Sequence, residues 1–445
     1  MVTPLEPWIE ARTGAPPTPV ALARYQGNRL RATVDWAGRR SPFYREHLAG
    51  TMTLETAGIL PWTKVPFTTA ADLIRHGDRF FCGSLDDIER VVTLFSSGTT
   101  APPKRIYFTR EDLGHTLDFF SVGMAGIVSP GDRVLILLPG DRPDSVGDLL
   151  KRGLARIGCD GVPHGPVRDP VETLSVIGAQ GIDALVGIPV QVLSLVRAEA
   201  GICGAGTRVR KVLLTTDHVP RAIKQAVESA WPCRVFNHYG MTEMGLGGGV
   251  ECAAREGYHL READLYIEIV DTETGAVLSE GATGEIVFTT LIRRGMPLIR
   301  YRTGDLGRFL TEPCPCGSIL RRLARVRSRV DGRIALGPTQ GLTLADLDEA
   351  VFPIPWVVNF QAVLTGDAGM AILELACRVT SRAPKGAEDA VRTAVGRIAA
   401  VDATVGAGCL QIAVTCADVL GLPVSTGAGK RVLTDSRKMQ PEAEG

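Results

Sequence analysis

The stretch DRVLILLP, residues 132–139, is a continuous apolar run between a charged pair and a proline. A segment with helical spacing of apolar residues follows it, from Val146 to Arg156. The same order recurs twice more: ALVGIP (184–189) precedes VQVLSLVRAEA, and KVLLT (211–215) precedes PRAIKQAVESAW. Apolar strands that alternate with helices are typical of a parallel sheet covered on both faces. The sequence therefore predicts an α/β fold, in which ligands bind at the carboxyl ends of the strands.

The pattern changes towards the C-terminus. From Tyr266, the segments LYIEIVD and GEIVFTT with the turns ETG and EGATG predict an antiparallel β subdomain. From Asp331, three strand candidates (NFQAVL, MAILELACRV and CLQIAVTCA) and a helical stretch at 387–399 predict a small α+β domain. We therefore expect an N-terminal domain at 1–330 and a mobile C-terminal lid domain at 331–445. The charged, glycine-containing stretch RSRVDGRIALG would be the hinge.

Composition narrows the classes of function. A chain of 445 residues is long enough for two domains. Lys plus Arg and Asp plus Glu both number 49, which argues against a general affinity for nucleic acid or an anionic membrane. The N-terminus does not have the pattern of a signal peptide, and no run of about 18 apolar residues occurs. These features predict a cytoplasmic protein whose cysteines are thiols or metal ligands.

One loop is rich in hydroxyl groups. LFSSGTTAPPK, residues 94–104, places two serines, a glycine and two threonines ahead of a lysine. Glycine lets the backbone approach a polyphosphate closely, while hydroxyls, amides and the lysine bind its oxygens. The loop lacks the common phosphate-loop pattern, so its composition alone is equally compatible with a surface turn.

Three further motifs favour the phosphate interpretation: NHYGMTEMG (237–245), RYRTGDLG (300–307) and TGAGKRV (426–432). In this order, and together with SSGTTAPPK, RSPFYREHL and VPFTTAADL, they resemble the adenylate-forming (acyl-CoA synthetase) superfamily, and most closely its phenylacetate-CoA ligase branch. The likeness covers nearly the whole chain.

The resemblance implies roles for individual residues. The catalytic set would be Lys430, bridging the substrate carboxylate and the α-phosphate, Thr242 at the α-phosphate, and Glu243 as a Mg²⁺ ligand. Tyr239 would lie along adenine, and Asp305 would accept from the ribose hydroxyls with the assistance of Arg329. Asp331 would be the hinge residue. The nucleotide-binding set would comprise Ser96, Ser97, Gly98, Thr99, Thr100, Lys104, Asp217, His238, Tyr239, Gly240, Asp305 and Arg329. For Asp217 and His238, an ordinary polar role at a strand end stays open.

The implied reaction is ATP-dependent activation of a carboxylic acid, with an aromatic acid expected, and transfer of the acyl group to coenzyme A. Its small-molecule partners would be the acid, ATP and CoA, with Mg²⁺ as cofactor; a homodimer stays open. Two alternatives remain: adenylation with an amine or carrier-protein thiol as acceptor, and a catalytically silent binding protein of the same fold. The chain departs from the family pattern at Ala101, at Val330-Asp331-Gly332 and at 337–339.

Four residues form a candidate zinc site. Cys252 and His259 are separated by AAREGY, and Cys314 and Cys316 form a C-P-C-G turn further along the chain. Three thiolates and one imidazole are a tetrahedral structural set. The alternative is one buried cysteine and an ordinary turn.

Overall fold

A computed structural model describes residues 3–49, 62–94, 103–200, 207–337, 339–367, 369–418 and 431–437 of the chain. Its α-helices are α1 (Leu5–Thr13), α2 (Pro19–Arg40), α3 (Pro42–His47), α4 (Ala70–His76), α5 (Arg110–Ala125), α6 (Val146–Ala155), α7 (Pro170–Ala179), α8 (Pro189–Glu199), α9 (Arg221–Ala230), α10 (Leu344–Val351), α11 (Ala387–Gly396) and α12 (Ala399–Gly406).

The strands include many short ones. They are β1 (Ile88–Leu94), β2 (Lys104–Thr109), β3 (Arg133–Ile136), β4 (Asp160–Pro163), β5 (Ala184–Gly187), β6 (Lys211–Leu214), β7 (Arg234–Tyr239), β8 (Gly249–Glu251), β9 (Tyr258–Leu260), β10 (Leu265–Val270), β11 (Gly284–Thr290), β12 (Tyr301–Gly307), β13 (Phe309–Leu310), β14 (Arg322–Leu323), β15 (Ser328–Arg329), β16 (Arg333–Ala335), β17 (Gly341–Thr343), β18 (Val357–Gly366), β19 (Ala371–Val379), β20 (Leu410–Asp418) and β21 (Leu433–Asp435).

The chain divides into two compact units. The first unit contains Met1–Gly131, Arg142–Gly161 and Phe236–Val326, and the second contains Asp132–Asp141, Val162–Val235 and Arg327–Gly445. The prediction of a lid domain that begins at Asp331 and moves about a hinge stays a prediction.

The second unit contains the parallel strands predicted from the apolar runs. β3 pairs in parallel with β5, and β5 pairs in parallel with β6. Val134, Leu135 and Ile136 of β3 are fully buried, which explains why this strand is apolar on both faces. α8 begins directly after β5 with Pro189 in its first turn, where the missing amide hydrogen costs nothing. The predicted α/β class is confirmed.

The second unit also holds the three C-terminal strands predicted from the sequence. β18 and β19 are antiparallel, while β20 and β21 add in parallel to β19 and β18. The single helix expected over 387–399 is wrong in one respect. α11 ends at Gly396, the backbone of Ile398 is extended, and α12 begins at Ala399. The apolar spacing continues through this break, so the sequence pattern alone does not show it.

The first unit carries the antiparallel strands predicted from Tyr266 onwards, β10 and β11. One sheet contains β10, β11 and β12 as neighbouring strands. A second sheet contains, in spatial order, β7, β8, β9, β14 and β13. Antiparallel pairing is therefore present well before the predicted Tyr266, between β1 and β2 and between β7 and β8. β8 and β9 have three residues each and are too short to show alternation. In the described residues, no helix has the length and apolar character needed to cross a membrane.

Candidate functional site

Tyr239 and Asp305 meet inside the first unit. Tyr239 is the last residue of β7, Asp305 lies on β12, and both are buried. The phenol of Tyr239 donates a hydrogen bond to Asp305 Oδ2 at 3.0 Å. Burial and the Asp305 carboxylate raise the pKa of Tyr239 well above its ordinary value of 10.0. The phenol therefore remains a donor at neutral pH, and an aromatic ring and a carboxylate stand side by side.

Glu243 follows the end of β7 at Tyr239 and lies in a short 3-10 helix, Thr242–Met244. Its buried carboxylate forms an ion pair with the Lys104 ammonium, at the start of β2. Burial raises the pKa of Glu243, but the Lys104 charge and the hydrogen bonds from Lys104, the backbone and Tyr301 together hold the pKa below its ordinary value. The structure thus brings together two residues that the sequence predicted for the phosphates and for Mg²⁺, and it keeps the carboxylate ionised.

Two residues near Glu243 were missed by the sequence analysis. Tyr301 Oη donates to Glu243 Oε1 at 3.2 Å and lies 3.4 Å from Lys104 Nζ. Arg293 is buried and donates to the carbonyl oxygens of Glu243, at 2.9 Å, and Tyr107, at 2.8 Å. For Tyr301 there was a signal, because residues 301 and 305 of one strand share a face. For Arg293 we find none, because its partners are far away in the sequence.

Gly240 and His238 flank Tyr239. A Cβ atom on Gly240 would lie 2.8 Å from the Cα of Gly247 and 3.0 Å from the Leu246 oxygen, so only glycine fits. Burial, and secondarily the Arg261 charge, lowers the pKa of His238 to about 4. The imidazole is therefore neutral, and its ring lies 6.3 Å from the ring of Phe119.

The remaining predicted nucleotide residues lie either in the second unit or outside the described residues. Asp217 and Arg329 belong to the second unit. Asp217 Oδ1 accepts a hydrogen bond from the His218 amide at 2.8 Å, and Arg329 Nε pairs with Asp331 at 3.3 Å on the surface. Ser96, Ser97, Gly98, Thr99, Thr100 and Lys430 lie outside the described residues.

The four candidate metal ligands converge in the first unit. The ligand atoms of Cys252, His259, Cys314 and Cys316 all lie within 4.8 Å of one another. Cys252 Sγ is 3.6 Å from Cys314 Sγ, and Cys316 Sγ is 3.4 Å from His259 Nε2. Ligands about 2.3 Å from a tetrahedral ion stand roughly 3.8 Å apart. The donor set and its spacing therefore fit zinc.

Neighbouring residues fix the positions of these ligands. His259 is held by the antiparallel pair β8–β9, opposite Val250. The C-P-C-G turn closes with a hydrogen bond from the Gly317 amide to the Cys314 oxygen at 2.9 Å, and Gly317 has a φ of +82°. Arg322, almost fully buried, donates to three carbonyl oxygens, those of Glu256, Glu312 and Pro313.

The same surroundings favour uncharged ligands in the absence of a metal. Burial raises the pKa of Cys252 to about 12 and lowers the pKa of His259 to about 4. A divalent cation reverses this preference at the sulfur, because it displaces the thiol proton. Four protein ligands leave no open coordination position, so the arrangement suits a structural ion rather than a catalytic one.

Comparisons with known proteins agree with the motifs. The profile of the family described as AMP-binding enzyme matches residues 84–291. Phenylacetate-coenzyme A ligase of Aromatoleum evansii is 30% identical over 325 residues, covering 71% of this chain and 72% of that protein. The chain belongs to the phenylacetate-CoA ligase branch of the adenylate-forming enzymes. It is therefore an enzyme, an AMP-forming ligase, as the sequence predicted.

Other members and structural neighbours extend the likeness. Phenylacetate-coenzyme A ligase of Thermus thermophilus is 28% identical over 373 residues, covering 81% of this chain and 82% of that ligase. A crystal structure of 2-hydroxyisobutyryl-CoA ligase in the postadenylation state superposes with a TM-score of 0.77 at 19% identity, covering 94% of this chain and 90% of that one. Amide bond synthetase McbA of Marinactinospora thermotolerans has a TM-score of 0.51 at 17% identity, covering 78% and 68%. At these identities the structures confirm the fold alone.

Proposed function

We propose that this ligase activates a carboxylic acid with ATP, releases pyrophosphate, and passes the acyl group to the thiol of coenzyme A. The observation that carries the proposal is the ion pair of Lys104 with Glu243. The Lys104 ammonium is suited to phosphate oxygens, the Glu243 carboxylate is suited to a hard metal ion, and the two groups are in direct contact. Tyr301, which contacts both, shares strand β12 with Asp305, the partner of Tyr239.

Each part of ATP has a proposed partner. Tyr239 packs along the adenine ring, and the Asp305 carboxylate accepts from both ribose hydroxyls, assisted by Arg329. Asp217 and His238 complete the surroundings of the adenosine. Thr242 binds the α-phosphate. Lys104, with the 96–100 loop, binds the β- and γ-phosphates.

Glu243 is the proposed protein ligand for Mg²⁺. Its pKa lies below the ordinary value, so the carboxylate is ionised at neutral pH, which a hard cation requires. Magnesium, when bound, supplies charge neutralisation at the phosphates. The role of Arg293 is to fix the Glu243 backbone, through the hydrogen bond to its carbonyl oxygen.

The proposed reaction needs no covalent intermediate with the enzyme, so catalysis depends on positioning the reactants and neutralising charge. An oxygen of the substrate carboxylate attacks the α-phosphorus, the bond to the bridging oxygen breaks, and pyrophosphate leaves with its charge neutralised. Lys430 stabilises the charge that develops at the carboxylate and the α-phosphate. The CoA thiol then loses its proton to solvent and its sulfur attacks the acyl carbon. The bond between that carbon and the phosphate oxygen breaks, and AMP leaves. We propose that residues 331–445 rotate about Asp331 between the two steps, so that the thiol gains access.

An aromatic acid is the proposed substrate class. Two curated relatives are phenylacetate ligases. One structural neighbour, 2-hydroxyisobutyryl-CoA ligase, is named for a small aliphatic acid, so an aliphatic acid is the second candidate substrate.

Zinc is the proposed structural ion of the Cys252, His259, Cys314 and Cys316 cluster. When bound, it supplies a cross-link between the β8–β9 pair and the C-P-C-G turn.

A pyrophosphate-release assay with a panel of aromatic and aliphatic acids, with and without CoA, tests the proposal. We expect acid-dependent pyrophosphate release, an acyl-CoA product when CoA is present, and the highest kcat/KM for an aromatic acid. Pyrophosphate release without any acyl-CoA would favour an amine or carrier-protein acceptor. No release with any acid would favour a catalytically silent protein.

A further inference from the structure

A basic aromatic patch lies on the surface of the first unit. We define it as Trp36, Arg40 and Arg294. The guanidinium carbon of Arg40 lies 5.0 Å from the centroid of the Trp36 ring, and that of Arg294 lies 4.9 Å from it. Both arginines are exposed. The indole therefore orders two guanidinium groups at the surface through cation–π contacts.

One face of α2 builds this patch. Arg29, Thr33, Trp36 and Arg40 follow one another at helical spacing, so they share that face. Arg29 Nε and Thr33 Oγ1 donate to the Leu291 carbonyl oxygen, at 3.0 and 3.3 Å, and Trp36 Nε1 donates to the Arg294 carbonyl oxygen at 3.1 Å. Because the indole N–H is bonded, the ring cannot rotate freely, and the arginines are held against a fixed platform.

The patch has an excess of positive charge. In the part of the chain that the structure describes, neither Arg40 nor Arg294 forms an ion pair with a carboxylate, whereas neighbouring Arg39 pairs with Asp35 at 2.6 Å. The chain as a whole has no formal net charge. Two unneutralised arginines beside one indole are thus a local feature, which suits a ligand with several negative charges.

The patch lies on the outer side of the segment that supports Glu243. Arg293, which is buried, donates to the Glu243 carbonyl oxygen, and the next residue, Arg294, is exposed on the surface. Consecutive side chains of this segment therefore connect the candidate reaction site with the patch.

We propose that the Trp36, Arg40 and Arg294 patch binds the nucleotide end of coenzyme A. This inference rests on the proposed function, and it assigns the CoA phosphates a site that the sequence motifs do not supply. CoA carries a diphosphate and a ribose 3′-phosphate next to adenine. The guanidinium N–H groups bind the phosphate oxygens, and the outer guanidinium planes stack on the adenine. The flexible pantetheine arm then carries the thiol inward.

The test compares the double variant Arg40→Gln/Arg294→Gln with wild type. We expect the KM for CoA to rise at least tenfold, with kcat, the KM for ATP and the acid-dependent release of pyrophosphate without CoA unchanged. Arg31→Gln is the matched control, because Arg31 is an exposed arginine of α2 outside the patch. It should leave every constant unchanged.

Truncated acceptors give a second readout. With pantetheine, which lacks the nucleotide, wild type and the double variant should have the same KM. With dephospho-CoA, the difference in KM between wild type and the double variant should shrink if the patch binds the 3′-phosphate. The difference should persist if the patch binds only the diphosphate. An unchanged KM for CoA in the double variant would overturn the inference, and so would an equal rise with pantetheine.

Calorimetric titration with CoA separates this inference from the proposed function. If wild type forms no acyl-CoA but binds CoA more tightly than the double variant does, the proposed function is wrong and the patch stands. If wild type forms acyl-CoA and both proteins bind CoA equally, the patch is wrong and the function stands.

Discussion

The phenol of Tyr239 donates a hydrogen bond to the carboxylate of Asp305 across 3.0 Å, although 66 residues separate them in sequence. Strands β7 and β12 bring the two side chains together in the interior of the first unit. Because the Tyr239 phenol keeps its proton, it donates to the Asp305 carboxylate and orients it. The two carboxylate oxygens of Asp305 still have lone pairs that can accept further hydrogen bonds. This pair is the centre of the proposed adenosine site.

Replacing Asp305 with alanine should raise the KM for ATP at least about tenfold, because a hydrogen bond to a charged acceptor contributes about 1.5–3 kcal/mol. Tyr239→Phe should have a smaller effect, since the ring remains and only the orienting hydrogen bond is lost. Initial rates of pyrophosphate release against ATP concentration measure both. A normal ATP titration for Asp305→Ala would contradict the assignment of Asp305 to the ribose.

Glu243→Gln should raise the Mg²⁺ concentration needed for half-maximal pyrophosphate release. A neutral amide is a weaker ligand for a hard cation than a carboxylate, and the substitution keeps the size of the side chain. The measurement is a Mg²⁺ titration at saturating ATP and acid. If the titration curve matches that of wild type, Glu243 is not a metal ligand.

Lys104→Met should lower stability by ~3 kcal/mol at neutral pH, because it leaves a buried carboxylate without its cation. In wild type, the folded-state pKa of Glu243 lies below its ordinary value, so its stabilisation is present above pH 4.5 and disappears as the pH falls. In the variant, burial still raises the pKa of Glu243 and only the backbone and Tyr301 hydrogen bonds oppose it, so this pKa lies higher than in wild type and the stabilisation by the ion pair above pH 4.5 is absent.

The difference in unfolding temperature between wild type and Lys104→Met should therefore be largest near pH 7 and shrink towards pH 4. The double variant Lys104→Met/Glu243→Gln is the control, since it removes both charges and should regain part of the stability. A difference that stays constant over this pH range would show that the ion pair is not its cause.

The sequence predicted the elements whose signal is local. β3, β5 and β6 were found because each is a continuous apolar run, and β10 and β11 because turn residues flank them. The contacts of Tyr301 and Arg293 with Glu243 bridge 58 and 50 residues. The shared strand face of residues 301 and 305 was an indirect signal for Tyr301, whereas Arg293 had none. The break between α11 and α12 at Ile398 was missed because apolar spacing continues through it. The convergence of Cys252 and His259 with the C-P-C-G turn was foreseen from ligand chemistry, although their positions depend on β8, β9 and Arg322.

Lys430→Ala should reduce acid-dependent pyrophosphate release by roughly 100-fold or more, because a group that stabilises developing charge contributes chiefly in the transition state. The unfolding temperature should hardly change, since Lys430 is the one lysine of the glycine-containing segment TGAGKRV, which has no apolar run. Thioester formation from a separately prepared acyl-adenylate should survive, because the proposed rotation removes this lysine from the site. Pyrophosphate release at the wild-type rate would contradict the assignment.

The purified protein should carry about one zinc ion per chain, because Cys252, His259, Cys314 and Cys316 form a closed tetrahedral set. Metal analysis of protein prepared without chelator measures this, and Cys314→Ser and Cys316→Ser should each lose the metal. Cys377→Ser is the control, since Cys377 is a buried cysteine of β19 in the second unit and this variant should keep full zinc occupancy.

The free energy of zinc binding at such a site contributes to the free energy of folding, so removal of zinc by a chelator should lower the unfolding temperature. Adenylation should fall only as the fold loosens, because the four ligands leave no position for substrate. If the protein contains no zinc and chelator leaves its unfolding temperature unchanged, the cluster is not a metal site, and its residues are buried thiols beside an ordinary turn.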